Sequence, residues 1–483
     1  MKLISVQILN YRSIKDLTIT IDELTDKSYT YGLLGVNEAG KSTLLKALAY
    51  NSGLKNEKGE LLPLKKDFRD RSKSIQIIFS YRLSKSEVKI AKEKHLSSVT
   101  SFTSEDSYLE DVKLIIRHDY NDRDTLYNYD IDFFRLNASS EVKESIEAAL
   151  TDFVFEKAHD TVFWTPDERF LISKPINLSQ FAADPNAVSV PLQNCFALAG
   201  MKSPLEIQER IALISESTER EQLKDNLSDA VSAHINAIWK KHPIKITFDI
   251  SDGQINFHVR DLNSKAIAKT ADQRSDGFAQ FVSFLLTISA ENKTQNLNST
   301  ILLIDEPETH LHPRAQIDLL DELITITKNM RNNIVFFATH SNYMADKKDM
   351  SRNYKVSKVH DDKDGKEVTV IEKFDEKITT YAGATYKVFD IPSSDYHNEL
   401  YSRLHEAFQE RNLEDESRIN LKNFDTEFFI KHLALAKNKP WKGKANSCSL
   451  PTFVRNGIHH PTSTNVYTDE ELRTSIEIME AAL

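Results

Sequence analysis

Only two cysteines, Cys195 and Cys448, occur in 483 residues. Two thiols cannot build a disulfide framework or a four-cysteine zinc site, which excludes disulfide-stapled scaffolds and zinc ribbons. Long apolar runs are missing as well. No stretch reaches the ~18 apolar residues that a membrane-spanning helix needs, so the chain reads as a protein without membrane spans. Nor is there an excess of positive charge. With 62 Lys+Arg against 72 Asp+Glu the net charge is −10, which argues against a uniformly basic nucleic-acid-binding surface and leaves only a local basic groove open. Repeats and low-complexity tracts are absent, so a solenoid is excluded. The N-terminal MKLISVQILNYRSI alternates apolar and polar residues and lacks the continuous apolar core and cleavage site of a leader. It reads as a first strand, and the protein is expected to stay in the cytosol. What remains is ordinary globular composition, 40% hydrophobic and 28% charged, at a length that holds roughly two to four domains.

Residues 2–9 and 16–22 alternate around a polar turn at Tyr11 to Lys15, the pattern of a β-hairpin. An apolar strand, YTYGLLG, then runs into GVNEAGKS and the helix-forming STLLKALAY. A further strand is expected at Ser74 to Tyr81. The stretch from Leu83 to Gly200 is mixed and carries little pattern. From Pro204 to about Lys240 the periodicity is helical, followed by two strands, KITFDI and QINFHVRD, across the turn Ser251-Asp252-Gly253. FAQFVSFLLTIS predicts a buried helix, TILLI (300–304) a buried strand, Pro313 a helix start, and IVFFATH another buried strand. KVSKVH and EVTVIEKF pair across DDKDGK, and beyond Asp390 the chain reads as helices. Strand, loop and helix alternate as a largely parallel α/β sheet requires.

Gly35-Val36-Asn37-Glu38-Ala39-Gly40-Lys41-Ser42, followed by Thr43, fits the P-loop pattern G-x-x-x-x-G-K-[ST] between a strand and a helix. The glycines let backbone N–H groups turn inward around phosphates, and the helix adds its positive end. Lys41 is expected to reach the β- and γ-phosphates of ATP, and the Ser42 hydroxyl to ligate Mg²⁺. Far downstream, Asp305 and Glu306 close a buried apolar strand. Charges there are costly unless they meet a metal or a reacting group. Asp305 suits holding Mg²⁺, and Glu306 suits polarising the attacking water as general base. Pro307 and a further Glu308 make a simple helix cap a poor alternative. His340 ends the next strand and is expected to contact the γ-phosphate.

These ordered motifs resemble the ABC-type ATPase superfamily, in the branch of the OLD-like ATPases, RecF, the zinc-hook break-repair ATPases and SMC heads. The resemblance spans residues 1 to about 345. It implies an α/β fold: a P-loop ATPase head with a mostly parallel sheet, an N-terminal antiparallel β portion, a helical insertion and a small helical C-terminal domain. The implied divisions are 1–350 for the head (with an insertion of about 83–240), 351–390 for a β-hairpin connector and 391–483 for the helical domain. The family's signature loop, which binds ATP of a partner head, corresponds to Arg274-Ser275-Asp276-Gly277-Phe278, where Ser275 and Gly277 would make the contacts. Heads of this kind act as homodimers or higher even-numbered homo-oligomers. The resemblance also implies that Arg12, in the hairpin turn, touches bound nucleotide. EPETHLHPRAQ looks like the D-loop region; His310 and His312 there lack a third ligand, which disfavours zinc. No sustained heptads and no C-x-x-C lie between Ser42 and Ser275, which removes the zinc-hook ATPases. Asp362-Lys363-Asp364 matches the Asp-x-Asp of a TOPRIM nuclease but is followed by Gly365 and reads as a turn.

Arg455-Asn456-Gly457-Ile458-His459-His460-Pro461 resembles the R-N-x-x-x-H motif of HEPN ribonucleases, in which Arg455 would stabilise the phosphorane and His460 move a proton. Gly457 and Pro461 instead favour a shaped turn near the start of one of the last helices. A head followed by such a run looks like the ATPase subunits of Septu-type anti-phage systems, also found with retrons, which associate with a separate HNH nuclease. No HNH motif occurs in this chain. The expected function is therefore an ATPase controlling an effector nuclease supplied in trans. The rivals are a self-contained ATP-gated ribonuclease toxin and a DNA-repair clamp.

Overall fold

The computed structural model describes residues 1–49, 64–96, 109–120, 126–136, 138–165, 170–172, 174–238, 243–262, 269–270, 282–284, 286–287, 299–309, 311–329, 332–374, 380–411, 420–441, 444–460 and 466–483. They fall into two compact units, Met1–Asp375 and Glu376–Leu483.

The first unit opens with the hairpin β1 (Lys2–Tyr11) and β2 (Ile14–Thr20), closed at Tyr11↔Ile14. Then follow β3 (Thr30–Leu34), α1 (Lys41–Leu48), β4 (Ile75–Arg82), β5 (Asp111–Asp119), β6 (Leu126–Asp132), α2 (Ser140–Lys157) and β7 (Asp160–Trp164). A five-stranded sheet in the order β2-β1-β4-β5-β6 is antiparallel at every pairing. Its inward residues, among them Val6, Ile8, Ile77, Phe79, Leu114 and Ile116, pack with Ile146, Leu150 and Val154 of α2. Helix α2 buries one stripe only, as the spacing of those residues on a 3.6-residue turn requires. The stretch whose sequence pattern said little thus supplies β5, β6, α2 and β7.

Between β7 and the acidic strand the chain builds a separate lobe from β8 (Ile176–Asn177), α3 (Val190–Leu198), α4 (Pro204–Ala212), α5 (Ser217–Ile238), β9 (Ile244–Ser251), β10 (Gln254–Asp261) and β11 (Lys269–Thr270). The expected strand pair at 244–261 is present as the hairpin β9–β10, in register from Ser251↔Gln254 to Ile244↔Asp261. The lobe has its own core, with Leu223, Leu227, Val231 and Ile235 of α5 against Ile246, Phe248 and Phe257. Of the expected helix FAQFVSFLLTIS, only 282–284 and 286–287 are described, and they are helical.

The second sheet carries the functional strands. It contains β12 (Thr300–Asp305), β13 (Ile334–Thr339), β14 (Asn353–Asp361) and β15 (Lys366–Lys373), in the order β15-β14-β3-β13-β12-β7, with α6 (Pro313–Asn329) between β12 and β13. All pairings are parallel except β14–β15. Both faces of β12 are covered: Ile301 and Leu303 join the core under the antiparallel sheet, and Leu302 and Ile304 join a second core with Leu319 and Leu323 of α6. Two-sided burial is why β12 and β13 read as continuous apolar runs rather than alternating ones. The hairpin read as a connector between domains is part of this sheet, because β14 pairs in parallel with β3 at Asn353↔Gly32.

The second unit contains α7 (Tyr381–Phe389), α8 (Ser394–Glu410), the two-stranded ribbon β16 (Lys439–Trp441) and β17 (Lys444–Cys448), α9 (Leu450–His459) and α10 (Asp469–Ala481). Tyr396, Leu400 and Leu404 of α8 pack with Phe453 and Val454 of α9 and with Leu472, Ile476 and Met479 of α10. The ribbon was not legible from the helical pattern. Arg455 to His459 form the C-terminal half of α9 rather than a turn at a helix start, and His460 is its C-cap. Gly457 is tolerated inside the helix because its neighbours Phe453 and Val454 pack into the core and hold the helix. Pro451 sits in the first turn, where a missing N–H costs nothing. Pro461 lies outside the described residues.

Candidate active site

Strands β3, β13 and β12 lie side by side and end level, Thr339 opposite Leu34 and Asp305 opposite Ala338. Their C-terminal ends therefore deliver the loop after β3, His340 and the Asp305–Glu306 pair to one place, which is where open α/β sheets bind ligands.

The loop after β3 turns sharply into α1. Gly40 has φ +105, and a Cβ there would stand 2.4 Å from Thr369 Oγ1 on β15. At Gly35 the obstacle is backbone, with the carbonyl oxygen of Val356 2.4 Å from an added Cβ. Glu38 also takes a left-handed φ of 62. The Lys41 ammonium donates to the carbonyl oxygens of Gly35 at 2.8 Å and Val36 at 2.9 Å. Burial pushes the Lys41 pKa down, opposed by the fields of Glu306, Asp305 and Glu308.

Ser42 Oγ donates to Asp305 Oδ1 at 3.0 Å, joining two motifs that are far apart in the chain. Burial raises the Asp305 carboxyl to about 6, against the hydrogen bond from Ser42. Glu306 follows at φ 49, with its N–H donating to the Ala338 carbonyl at 2.9 Å. His340 Nδ1 stands 3.6 Å from Glu306 Oε1 and 3.7 Å from Glu308 Oε1. A cavity of about 230 Å³ is lined by Ser13, Asn37, Glu38, Ala39, Gly40, Lys41, Ser42, Thr43, Glu306 and Lys358.

Walker-type residues from both motifs thus meet at one cavity, with His340 beside Glu306. Arg12 is placed differently. It bonds Asp67 through both its side chain (2.8 Å) and its backbone N–H (2.7 Å), and its neighbour Ser13 is the residue lining the cavity. Ser275, Gly277 and His310 lie outside the described residues. Asp362, Lys363 and Asp364 occupy the β14–β15 turn, where Arg69 holds Asp364 in a bidentate pair.

Four residues at the site escaped the sequence reading. Lys358 on β14, paired with Glu367 at 3.0 Å, and Thr369 on β15, bonded to Ser13 at 2.7 Å, reach the loop only because the hairpin adds to β3. Ser13 hides in a turn read for its arginine. Glu308 is almost fully buried, and the signal for it was a third carboxylate in a short run without a basic neighbour.

The residues fit a nucleotide with its metal: one ammonium and a helix start for phosphates, and a hydroxyl bonded to a carboxylate for Mg²⁺. Among the described residues, no helix is long and apolar enough to cross a membrane.

A family model described as the AAA ATPase domain matches residues 1–345. The chain is 29% identical over 126 residues to the Old nuclease of Escherichia phage P2, covering 26% of this chain and 20% of that protein. It is 27% identical over 126 residues to an uncharacterized protein of Methanocaldococcus jannaschii, covering 25% of this chain and 32% of that one. The matches thus span a fifth to a third of those relatives' lengths. Among solved structures, an SMC head bound to the C-terminal winged-helix domain of ScpA aligns at TM-score 0.43 and 14% identity, over 79% of this chain and 100% of that one. The SMC head domain from Thermotoga maritima aligns at 0.37 and 10%, over 78% and 100%. The loop from β3 into α1 is that of a P-loop ATPase, and with the match running over most of its length the chain belongs to the AAA ATPase domain family.

Proposed function

We propose that this chain hydrolyses ATP, that its sites are completed when two heads meet around nucleotide, and that it thereby controls a separate effector nuclease in bacterial anti-phage defence. The observation that carries the hydrolytic reading is the 3.0 Å bond from Ser42 to Asp305, which puts the phosphate-binding loop and Glu306 on one cavity. In this reading Lys41 and the start of α1 neutralise the β- and γ-phosphates. Ser42 and Asp305 hold Mg²⁺, which when bound supplies further charge on the phosphate oxygens. Glu306 accepts the proton of the attacking water as it adds to the γ-phosphorus, the bond from that phosphorus to the β–γ bridging oxygen breaks with ADP as the leaving group, and His340 donates to the γ-phosphate. Ser275 and Gly277 serve the ATP of the second head.

Control of a nuclease is supported by one fact: a relative matched over 126 residues is named a nuclease. The test is a pull-down of the tagged chain from its native host, read by mass spectrometry, with phage protection measured in parallel. Recovery of an HNH-type nuclease, with protection lost in Lys41→Ala, supports the proposal. Full protection by Lys41→Ala, or by the chain with no nuclease bound, overturns it.

The ribonuclease reading keeps one specific support. Arg455 lies on the helical turn before His459, donates to Asn456 Oδ1 at 3.3 Å, and has no carboxylate partner among the described residues. Metal-independent RNA cleavage by the purified chain, lost in His460→Ala, would put that reading first.

A further inference from the structure

Glu308 is a glutamate where a neutral side chain would be cheaper. It sits in the turn after β12, 2% exposed, and burial pushes its carboxyl pKa up. One oxygen, Oε1, accepts both the Thr339 hydroxyl and the His340 N–H, the latter at 3.2 Å. The other, Oε2, is buried and has no hydrogen-bond partner among the described residues. A buried carboxylate oxygen left without a donor is unfavourable, and a glutamine could serve the two Oε1 bonds without burying a charge.

The neighbourhood shows what the charged form offers. His340 Nδ1 is 3.7 Å from Glu308 Oε1 and 3.6 Å from Glu306 Oε1. The backbone on both sides is fixed: the Glu306 carbonyl accepts from the N–H and hydroxyl of Thr309, and Thr339 Oγ1 accepts from the Ser341 N–H at 3.0 Å. Only the imidazole, half exposed, is left to be oriented.

We infer that Glu308 is a positioning residue: its negative charge attracts Nδ1–H of His340 across the 3.7 Å that separate them, which sets the ring beside Glu306 and leaves Nε2 as the nitrogen presented to the γ-phosphate. Fixing a histidine tautomer through the nitrogen that does not act is a recurrent use of a carboxylate. The role deepens the proposed function and rests on the reading of Glu306 and His340 as the hydrolytic pair.

The variant that separates positioning from support is Glu308→Gln. Its carbonyl oxygen takes the place of Oε1 and keeps the Thr339 and His340 N–H bonds, while the negative charge that attracts Nδ1–H is lost and the amide replaces Oε2. Positioning predicts a kcat roughly 10- to 100-fold lower, the scale of a misplaced reacting group, with KM for ATP within about threefold of wild type and an unchanged or higher Tm. In a His340→Ala background the same change should cost nothing further. Wild-type kcat in Glu308→Gln, or an equal loss in both backgrounds, overturns the inference. Turnover absent from the wild-type chain, or retained in Lys41→Ala, fails the reading of the site instead. Histidine ¹⁵N spectra of the full chain then test Glu308 without turnover. The signal lost in His340→Ala should show a protonated Nδ1 in wild type and should shift in Glu308→Gln, and an Nε2–H form unchanged by Glu308→Gln overturns the inference.

Discussion

Gly40→Ala separates the two constraints that hold the phosphate-binding loop. The residue has φ +105, and an added Cβ would stand 2.4 Å from Thr369 Oγ1 and 2.9 Å from Thr369 Cγ2. The left-handed backbone alone costs an L-residue about 1–2 kcal/mol, and forcing a methyl into a filled space adds about 1–3 kcal/mol. The sum, roughly 2–5 kcal/mol, is a large share of the ~5–15 kcal/mol that stabilises a typical domain. Thr369→Ala removes the two closest atoms and gives up the hydroxyl's 2.7 Å bond to Ser13, worth about 1 kcal/mol. Gly40→Ala/Thr369→Ala should therefore recover most of the packing part and none of the backbone part. Gly35→Ala has no such escape, because its obstacle is the Val356 carbonyl oxygen. Urea unfolding of the full chain gives the stabilities, and fluorescent ATP-analogue titration gives the loop's competence. Equal losses for Gly40→Ala with and without Thr369→Ala would refute the reasoning, as would rescue of Gly35→Ala by the same second change.

Three further outcomes follow from other parts of the chain. Ser275→Arg should abolish turnover while each monomer still binds nucleotide, and mixing it with Lys41→Ala should restore no more than one working site per dimer; a fully active ATP-bound monomer would contradict this. Arg352 is fully buried, pairs with Asp26 at 2.9 Å and Asp346 at 2.8 Å, and donates to Ser28 Oγ and the Thr30 carbonyl, so Arg352→Met should cost about 3–5 kcal/mol in urea unfolding by taking its cation from the buried Asp346 carboxylate. Burial lowers the pKa of His397 to about 3, so its folded form stays neutral while the unfolded chain takes up a proton below the ordinary value of 6.5. Its contribution is intact above pH 6.5 and is lost as pH falls toward 3, and His397→Gln should flatten the acid side of the stability curve over that window.

The parts of this molecule legible in sequence are those whose signal is contiguous. GVNEAGKS carries its turn, its helix start and its lysine in one run, and TILLIDE carries both burial and the acidic pair. What escaped is decided by partners far along the chain. β7 is five residues long and becomes a strand by pairing with β12, Thr300 opposite Asp160. Lys358 and Thr369 sit on an ordinary-looking hairpin, and only the parallel pairing of β14 with β3 brings them to the loop. Gly457 misled in the other direction: its helix propensity is poor, but the packing of Phe453 and Val454 on the same helix overrides it. Glu308 was visible as an acid and invisible as a hub, because its partners Thr339 and His340 lie at and just past the end of another strand.

The proposed function makes Glu306 the base of an ATP-hydrolysing site built on Lys41, Ser42 and Asp305. Its most direct test is single-turnover ATP hydrolysis by Glu306→Gln beside wild type and Lys41→Ala, with nucleotide affinity measured on the same preparations. The account predicts that Glu306→Gln binds ATP with near wild-type affinity and hydrolyses it roughly 10²- to 10⁴-fold more slowly, while Lys41→Ala loses binding itself. Hydrolysis by Glu306→Gln at the wild-type rate would contradict it.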